Sequence, residues 1–129
     1  MNGLLGVSKN RSRQPLKPGE ESFWCVYNNK LCSIGDYIFL YYTLVGIEQV
    51  YIITATSDIP DELGCEFRSM KTVRMKLLKK LDTPITLKQI KSHPVLKNMA
   101  AVGRNFQLTT FSIRPTEIEV LLELFNIQH

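Results

Sequence analysis

The sequence predicts an α+β protein built on a twisted or closed β-sheet with helices at its periphery. Strand patterns outnumber helix patterns, the strands come in neighbouring runs, and only short segments open with helix-capping sequences. The 129 residues fit one domain, and a hydrophobic fraction of 44% with 22% charged residues is ordinary for a folded globular protein. We therefore expect a single domain over residues 1–129.

The strands are predicted from β-branched and aromatic runs that end at turn residues. They cover residues 4–7, 23–27, 37–43, 47–56, 71–81 and 106–113. Residues 8–21 and 57–65 lack an apolar period and are predicted loops. In the fifth strand Val73, Met75 and Leu77 alternate with basic residues. One face of that strand should therefore pack on a core while the other offers its bases to solvent.

Helices are predicted near the C-terminus from two capping-box patterns. Thr86 with Gln89 opens a short helix that should end before Pro94, and a second short helix is expected over residues 95–99. Thr116 with Glu119 is predicted to open the last helix. Its apolar face comprises Ile118, Leu121, Leu122 and Phe125.

The net charge of +4 is unevenly distributed. Ten basic and two acidic residues lie between Glu66 and Arg104, whereas the segment after it is acidic. Such basic segments suit a polyanionic partner such as nucleic acid. A solvated basic face without a partner is the alternative that charge alone leaves open.

Three cysteines, Cys25, Cys32 and Cys65, occur without a secretory signal or a membrane-spanning run. An odd number in this setting argues against a disulfide framework, so we expect free, partly buried thiols. The same features indicate an intracellular, cytoplasmic protein with no membrane association. As an isolated domain it is expected to be a monomer.

Candidate catalytic chemistry is sparse. His93 precedes Pro94 at a helix boundary, where capping or exposure is the default, and His129 ends the sequence. No Gly-rich phosphate loop, paired metal-binding carboxylates or Gly-x-Ser-x-Gly elbow occurs. The cysteines and His93 match no zinc-ligand spacing. We therefore expect a binding module without enzymatic activity, metal or cofactor.

Trp24 is the one tryptophan of the chain and the first candidate for a binding pocket. Basic strands with nearby aromatic residues are typical of proteins that bind unstacked bases. Phe67, between Glu66 and Arg68, is a second aromatic at the rim of a polar loop. Composition alone leaves open that Trp24 is a core residue. It also leaves open that Phe67 only covers the end of the sheet.

The order of several motifs resembles the YTH and EVE families over nearly the whole chain. The matching strings are Phe23-Trp24-Cys25, Gly35-Asp36-Tyr37-Ile38-Phe39-Leu40-Tyr41-Tyr42, Val45-Gly46-Ile47-Glu48-Gln49-Val50, residues 67–73, Pro84-Ile85-Thr86-Leu87-Lys88-Gln89-Ile90, Arg104-Asn105 and residues 117–124. The resemblance implies a PUA-like fold, a six-stranded mixed β-barrel flanked by helices. It also implies a reader of a methylated base that is flipped into an aromatic pocket.

Site residues follow from the resemblance, residue by residue. The pocket is expected to include Trp24, Cys25, Phe67, Ser8 and Asn10. Contacts to backbone phosphates are expected from Lys9, Arg68, Lys71, Arg104 and Asn105. The loop before the long strand offers Phe67 but no second tryptophan, which departs from the usual three-walled cage.

The expected partner is methylated DNA or RNA. N6-methyladenine is favoured because Trp24-Cys25 resembles the YTH pattern, and 5-methylcytosine comes next because the general layout also resembles EVE. Related modules serve methylation-dependent restriction GTPases, so fusion to or action with a restriction GTPase or nuclease is a further expectation. The alternatives are a PUA-like domain that binds tRNA or rRNA regardless of modification, a nuclease of ASCH type, and a protein-interaction domain.

Overall fold

The computed structural model describes residues 2–9, 17–30, 32–61, 63–104 and 110–127. Its sheet contains six described strands. Their bounds are β1 Gly3–Ser8, β2 Glu21–Tyr27, β3 Tyr37–Tyr42, β4 Gly46–Ala55, β5 Met70–Ile85 and β6 Thr110–Ile113. The strand positions agree with the alternation in the sequence. The part of the predicted sixth strand before Thr110 lies outside the described residues.

The strands form one mixed sheet in the order β2-β5-β4-β3-β1-β6. β1 runs parallel to β3, with Ser8 paired to Tyr42, and the other described pairs are antiparallel. The order leaves β2 and β6 at the two edges. The sheet curls so far that side chains of these two edge strands meet. The evidence is a hydrogen bond from Trp24 on β2 to Thr110 on β6. The predicted α+β architecture, a curled sheet with helices at its periphery, is thereby confirmed.

Apolar residues pack on both faces of this curled sheet. β1 shows the division: Leu4 belongs to the cluster inside the curl, whereas Leu5 and Val7 belong to the cluster under the helices. This alternation is the two-residue period of a strand buried on both sides. We call the first cluster the inner core. Its members are Leu4, Val26, Ile38, Leu40, Tyr51, Ile53, Val73, Met75 and Leu77.

β5 is longer than predicted and carries the inner core on one face. Val73, Met75 and Leu77 are buried, as their alternation predicts. The strand continues past the predicted end at Leu81 to Ile85, which pairs with Ile47. Register shifts interrupt the β4–β5 pairing, so the strand bends and continues through Pro84, where a regular ladder would stop.

Three short helices cover the outer cluster: α1 Leu87–Ser92, α2 Ala100–Gly103 and α3 Pro115–Leu124. Thr86 caps α1 as predicted, since its hydroxyl accepts from the Gln89 N–H at 3.2 Å. The helix expected over residues 95–99 is a shorter 3-10 turn, Leu96–Asn98, followed directly by α2. None of the helices in the described ranges is long and apolar enough to cross a membrane.

The predicted start of α3 is wrong by two residues, because the N-cap is Arg114 and not Thr116. Pro115 opens the helix, and the capping interaction joins Arg114 to Glu117 instead of Thr116 to Glu119. The Glu117 carboxylate accepts the Arg114 backbone N–H at 2.9 Å and its guanidinium at 2.8 Å. Hydrogen bonding to Glu117 raises the pKa of Arg114. The predicted apolar face of α3, from Ile118 to Phe125, is fully buried.

Candidate nucleic-acid interface

Trp24 lies at the seam where the two edge strands approach. Its ring is half-buried against the inner core and lies so close to β1 that a Cβ added at Gly6 would be 2.6 Å from Cζ2. Its indole N–H donates to Oγ1 of Thr110 at 3.2 Å. The same hydroxyl donates to the carbonyl oxygen of Cys25 at 3.3 Å. These contacts fix the orientation of the ring while leaving part of it accessible.

Ser8 lies on the same face of β1 as Gly6, because residues two apart in a strand share a face. Ser8, one of the residues predicted for the pocket, therefore lies on the side of the sheet that Trp24 occupies. Its parallel partner on β3 is Tyr42, which packs on the inner core. Asn10, the other residue expected to contact the base edge, lies outside the described residues.

A polar group inside the curl was missed by the sequence analysis. The Gln49 side-chain oxygen accepts hydroxyl bonds from Tyr42 at 2.7 Å and from Tyr51 at 3.0 Å. Burial, with smaller effects of Tyr42 and Glu48, raises the pKa of Tyr51, so its hydroxyl stays a donor. Gln49 is buried and pairs with Leu40, whose side chain also approaches Gly6. The sequence signal for this group was Gln49 itself, a glutamine at an inward-facing position of an otherwise apolar strand.

Cys25 is bonded to Cys65, which corrects the expectation of free thiols for these two residues. The pairing arises because Cys25 lies opposite Thr72 on β5, close to where the chain enters that strand. Cys32 is the free cysteine. Two of the residues considered from sequence as zinc ligands, Cys25 and Cys65, are therefore joined to each other. The described residues contain no cluster of three His, Cys, Asp or Glu side chains.

The disulfide anchors the 3-10 helix Cys65–Arg68 to Cys25, the residue after Trp24. Asp61 holds this helix from the other side. Its carboxylate accepts the Cys65 N–H at 2.7 Å, the Glu66 N–H at 3.3 Å and the Thr72 hydroxyl at 3.1 Å. Phe67 and Arg68 belong to the helix, but their side chains are not among the described groups. Their roles as second wall and phosphate contact stay predictions.

Those of the predicted phosphate contacts whose side chains are described, Lys9, Lys71 and Arg104, lie on different elements of the fold. Lys71 pairs with Val26 and shares the inner face with Val73, which is opposite Trp24. Lys9, next to Ser8, faces a groove beside α1. Arg104 is exposed at the end of α2. Asn105 lies outside the described residues.

Two other charged or titratable residues have structural partners. His93 accepts the N–H groups of Val95 and Leu96 on Nδ1, at 3.0 and 3.3 Å, which is the capping role expected from its position. Arg74 on β5 lies 3.6 Å from the carboxylate of Glu21 and 5.9 Å from the ring centre of Phe23. Arg74 is therefore engaged on the outer face of β2.

Solved structures share this arrangement of strands and helices. A protein from Agrobacterium tumefaciens matches with a TM-score of 0.72 at 20% identity, over 98% of this chain and 94% of that one. A hypothetical protein from Leishmania major matches with a TM-score of 0.69 at 16% identity, over 98% and 95%. Human THYN1, solved in complex with DNA containing 5-methylcytosine, matches over 100% of both chains with a TM-score of 0.69 and 16% identity.

These identities are low, so the likenesses establish the fold alone. No curated protein sequence matches the chain significantly. The family is established by sequence, because the model of the EVE domain matches residues 4–124. Within the described residues, that span contains β1 except for Gly3, the whole of β2 to β6, and α1 to α3. The chain belongs to the EVE domain family of the PUA-like superfamily.

Proposed function

We propose that this protein binds a methylated base, turned out of its nucleic-acid strand, against the indole ring of Trp24. The observation that carries the proposal is the placement of this ring. It is half-buried, held at its N–H by Thr110, and lies against Gly6 on the face of β1 that also carries Ser8. A rigid aromatic face beside hydrogen-bonding groups is the arrangement that recognises an unstacked base.

The recognition is divided between stacking and polar contacts. Stacking on an aromatic ring contributes about 1–3 kcal/mol per base, whichever base is bound. Burying one added methyl group contributes only about 0.8 kcal/mol, or roughly fourfold in affinity. Larger discrimination requires polar groups that the wrong base leaves unpaired. Ser8 and the backbone near Trp24 and Cys25 are the proposed groups, and Phe67 is the proposed second wall.

Two methylated bases are the leading ligands. The Trp24-Cys25 pair favours N6-methyladenine, whereas the likeness to THYN1 bound to 5-methylcytosine DNA favours 5-methylcytosine. In either case the protein acts as a reader without catalysis of its own. Action with a restriction GTPase or nuclease would use this reading to direct cleavage to modified DNA.

The test is a binding panel of single- and double-stranded DNA and RNA that carry N6-methyladenine, 5-methylcytosine or neither. One methylated probe should bind more tightly than its unmethylated counterpart. Trp24→Ala should lower affinity for that probe by about 5- to 150-fold, which corresponds to the stacking energy. Phe23→Ala is the matched control, since this aromatic neighbour lies on the opposite face of β2. Circular dichroism establishes that each variant is folded.

Equal affinity for methylated and unmethylated probes would overturn the proposal, as would full binding by a folded Trp24→Ala protein. Equal, strongly salt-dependent affinity for structured RNA would support the second candidate, a PUA-like RNA-binding domain insensitive to modification. The basic stretch from Arg68 to Arg104 favours this candidate. Incubation with labelled RNA and DNA tests the nuclease alternative, and intact substrate argues against it.

A further inference from the structure

A groove of about 680 Å³ lies between the β3–β4 turn and α1. Its lining combines the turn, the residue after β1, the first turns of α1 and one residue of α2. The lining residues are Lys9, Tyr41, Thr43, Leu44, Val45, Thr86, Leu87, Lys88, Lys91 and Val102. Three of them are lysines and none is acidic.

The three lysines are available to a ligand. Lys9, Lys88 and Lys91 are all exposed, and none forms an ion pair with another residue of the described ranges. Lys88 and Lys91 are neighbours on one face of α1, because residues three apart lie one above the other on a helix. Like charges that converge on a concave surface raise the local potential and concentrate anions there.

The groove lies at the end of β1 that is nearer to Trp24, on the face of the sheet that packs under the helices, because Tyr41 of the outer cluster lines it. The ring of Trp24 lies against Gly6 on β1, Ser8 follows on the same face, and the next residue, Lys9, lines the groove. Three residues of strand from Gly6 to Lys9 span about 10 Å. That is roughly three phosphate spacings along one strand of a duplex. A nucleic-acid strand that has one base at Trp24 and continues around the end of β1 therefore has phosphates within reach of the groove.

We propose that this groove binds the phosphodiester backbone of the same strand, a few nucleotides from the base held at Trp24. That the bound nucleic-acid strand is the one whose base lies at Trp24 rests on the proposed function. The groove supplies affinity independent of methylation, and the pocket supplies the discrimination. Lys88 and Lys91, which the sequence analysis did not single out, act here together with Lys9.

The experiment compares the Lys88→Ala/Lys91→Ala protein with a charge-matched control, Lys76→Ala/Lys97→Ala, whose lysines are exposed and outside the groove. Affinity for an 11-nucleotide strand is measured against salt concentration, with and without the methyl group. Each lost phosphate contact lowers the slope of log affinity against log salt by about 0.7 for a single strand. The groove variant should lose about 1.4 in slope, whereas the control should keep the wild-type value.

A second arm uses a three-nucleotide strand centred on the methylated base. This probe is too short to reach the groove, so wild type and groove variant should bind it equally. An unchanged slope for the groove variant with the longer strand would overturn the proposal. So would competition by polyglutamate that is as effective, per charge, as unmethylated DNA. The outcome stays separate from that of the proposed function, because the slope is also measured on unmethylated strands.

Discussion

The indole N–H of Trp24 donates to the hydroxyl of Thr110 at 3.2 Å, across 86 residues of sequence and between the two edge strands of the sheet. The Thr110 hydroxyl in turn donates to the carbonyl oxygen of Cys25. One buried hydroxyl thus joins β2 to β6 and fixes the ring that we propose to hold a base. Closure of the curled sheet and orientation of the pocket depend on the same group.

Thr110→Val should therefore affect both stability and binding. The substitution keeps the shape of the side chain but removes both hydrogen bonds, and it leaves the indole N–H and a carbonyl oxygen without this partner. The free energy of unfolding should fall by about 1–3 kcal/mol. Urea unfolding followed by Trp24 fluorescence measures this change. Thr110→Ser, which retains the hydroxyl, should keep the wild-type emission maximum; a valine variant with unchanged emission and stability would contradict the interpretation.

Gly6 provides a steric test of the same ring position. A Cβ at this residue would lie 2.6 Å from Cζ2 of Trp24 and 2.8 Å from Cδ2 of Leu40, so Gly6→Ala must displace one of them. Overpacking of this kind costs about 1–3 kcal/mol. The variant should also lose affinity for the methylated probe. Gly103→Ala is the control, since a Cβ added there would lie more than 4 Å from the described residues outside its own helix and chain neighbours. Equal behaviour of the two variants would argue against the ring position.

Local sequence patterns were sufficient where the structure depends on neighbouring residues. Alternation located the β5 face that carries Val73 and Met75, and the Thr86–Gln89 pattern located the start of α1. The order of such motifs also sufficed to identify the family, which the EVE match confirms. The alternation and the capping pattern each depend on only a few neighbouring residues of the chain.

Features that join distant segments could not be predicted in this way. The Cys25–Cys65 bond spans 40 residues, and nothing in the spacing indicates that the β2–β5 register brings the two segments together. In the sequence nothing distinguishes Thr110 from other strand residues, because its role depends on the side chains of β6 meeting those of β2. The start of α3 was misplaced because the Thr116–Glu119 pattern is local, whereas Arg114 gains a buried carboxylate partner and a bond to the Asn98 carbonyl.

Acid should loosen the loop that carries Phe67. Burial alone would raise the pKa of Asp61, but hydrogen bonds from Cys65, Glu66 and Thr72 outweigh it and lower the pKa below the ordinary value of 3.8. Ionised Asp61 therefore stabilises the fold above that value, and this stabilisation is lost as the pH falls through the lower folded-state pKa. Urea midpoints between about pH 5 and pH 2 measure the effect.

Asp61→Asn should show a flatter dependence of the urea midpoint on pH than the wild type. Asp58→Asn is the charge-matched control, because Asp58 is an exposed residue of the same loop. If both variants followed the wild-type curve, the hydrogen bonds of Asp61 would have no role in the acid response.

Reduction of the Cys25–Cys65 bond should weaken binding as well as stability. Opening a closed loop of 40 residues typically costs about 2–4 kcal/mol of unfolding free energy. The bond joins the residue after Trp24 to the 3-10 helix that contains Phe67, so a dithiol reductant should lower affinity for the methylated probe. Urea unfolding and binding, each measured with and without reductant, give the comparison. Cys32→Ser should retain the full difference in stability and affinity between the oxidised and reduced states, whereas Cys25→Ser/Cys65→Ser should abolish it. If reductant changed neither property of the wild-type protein, Asp61 alone would hold the loop.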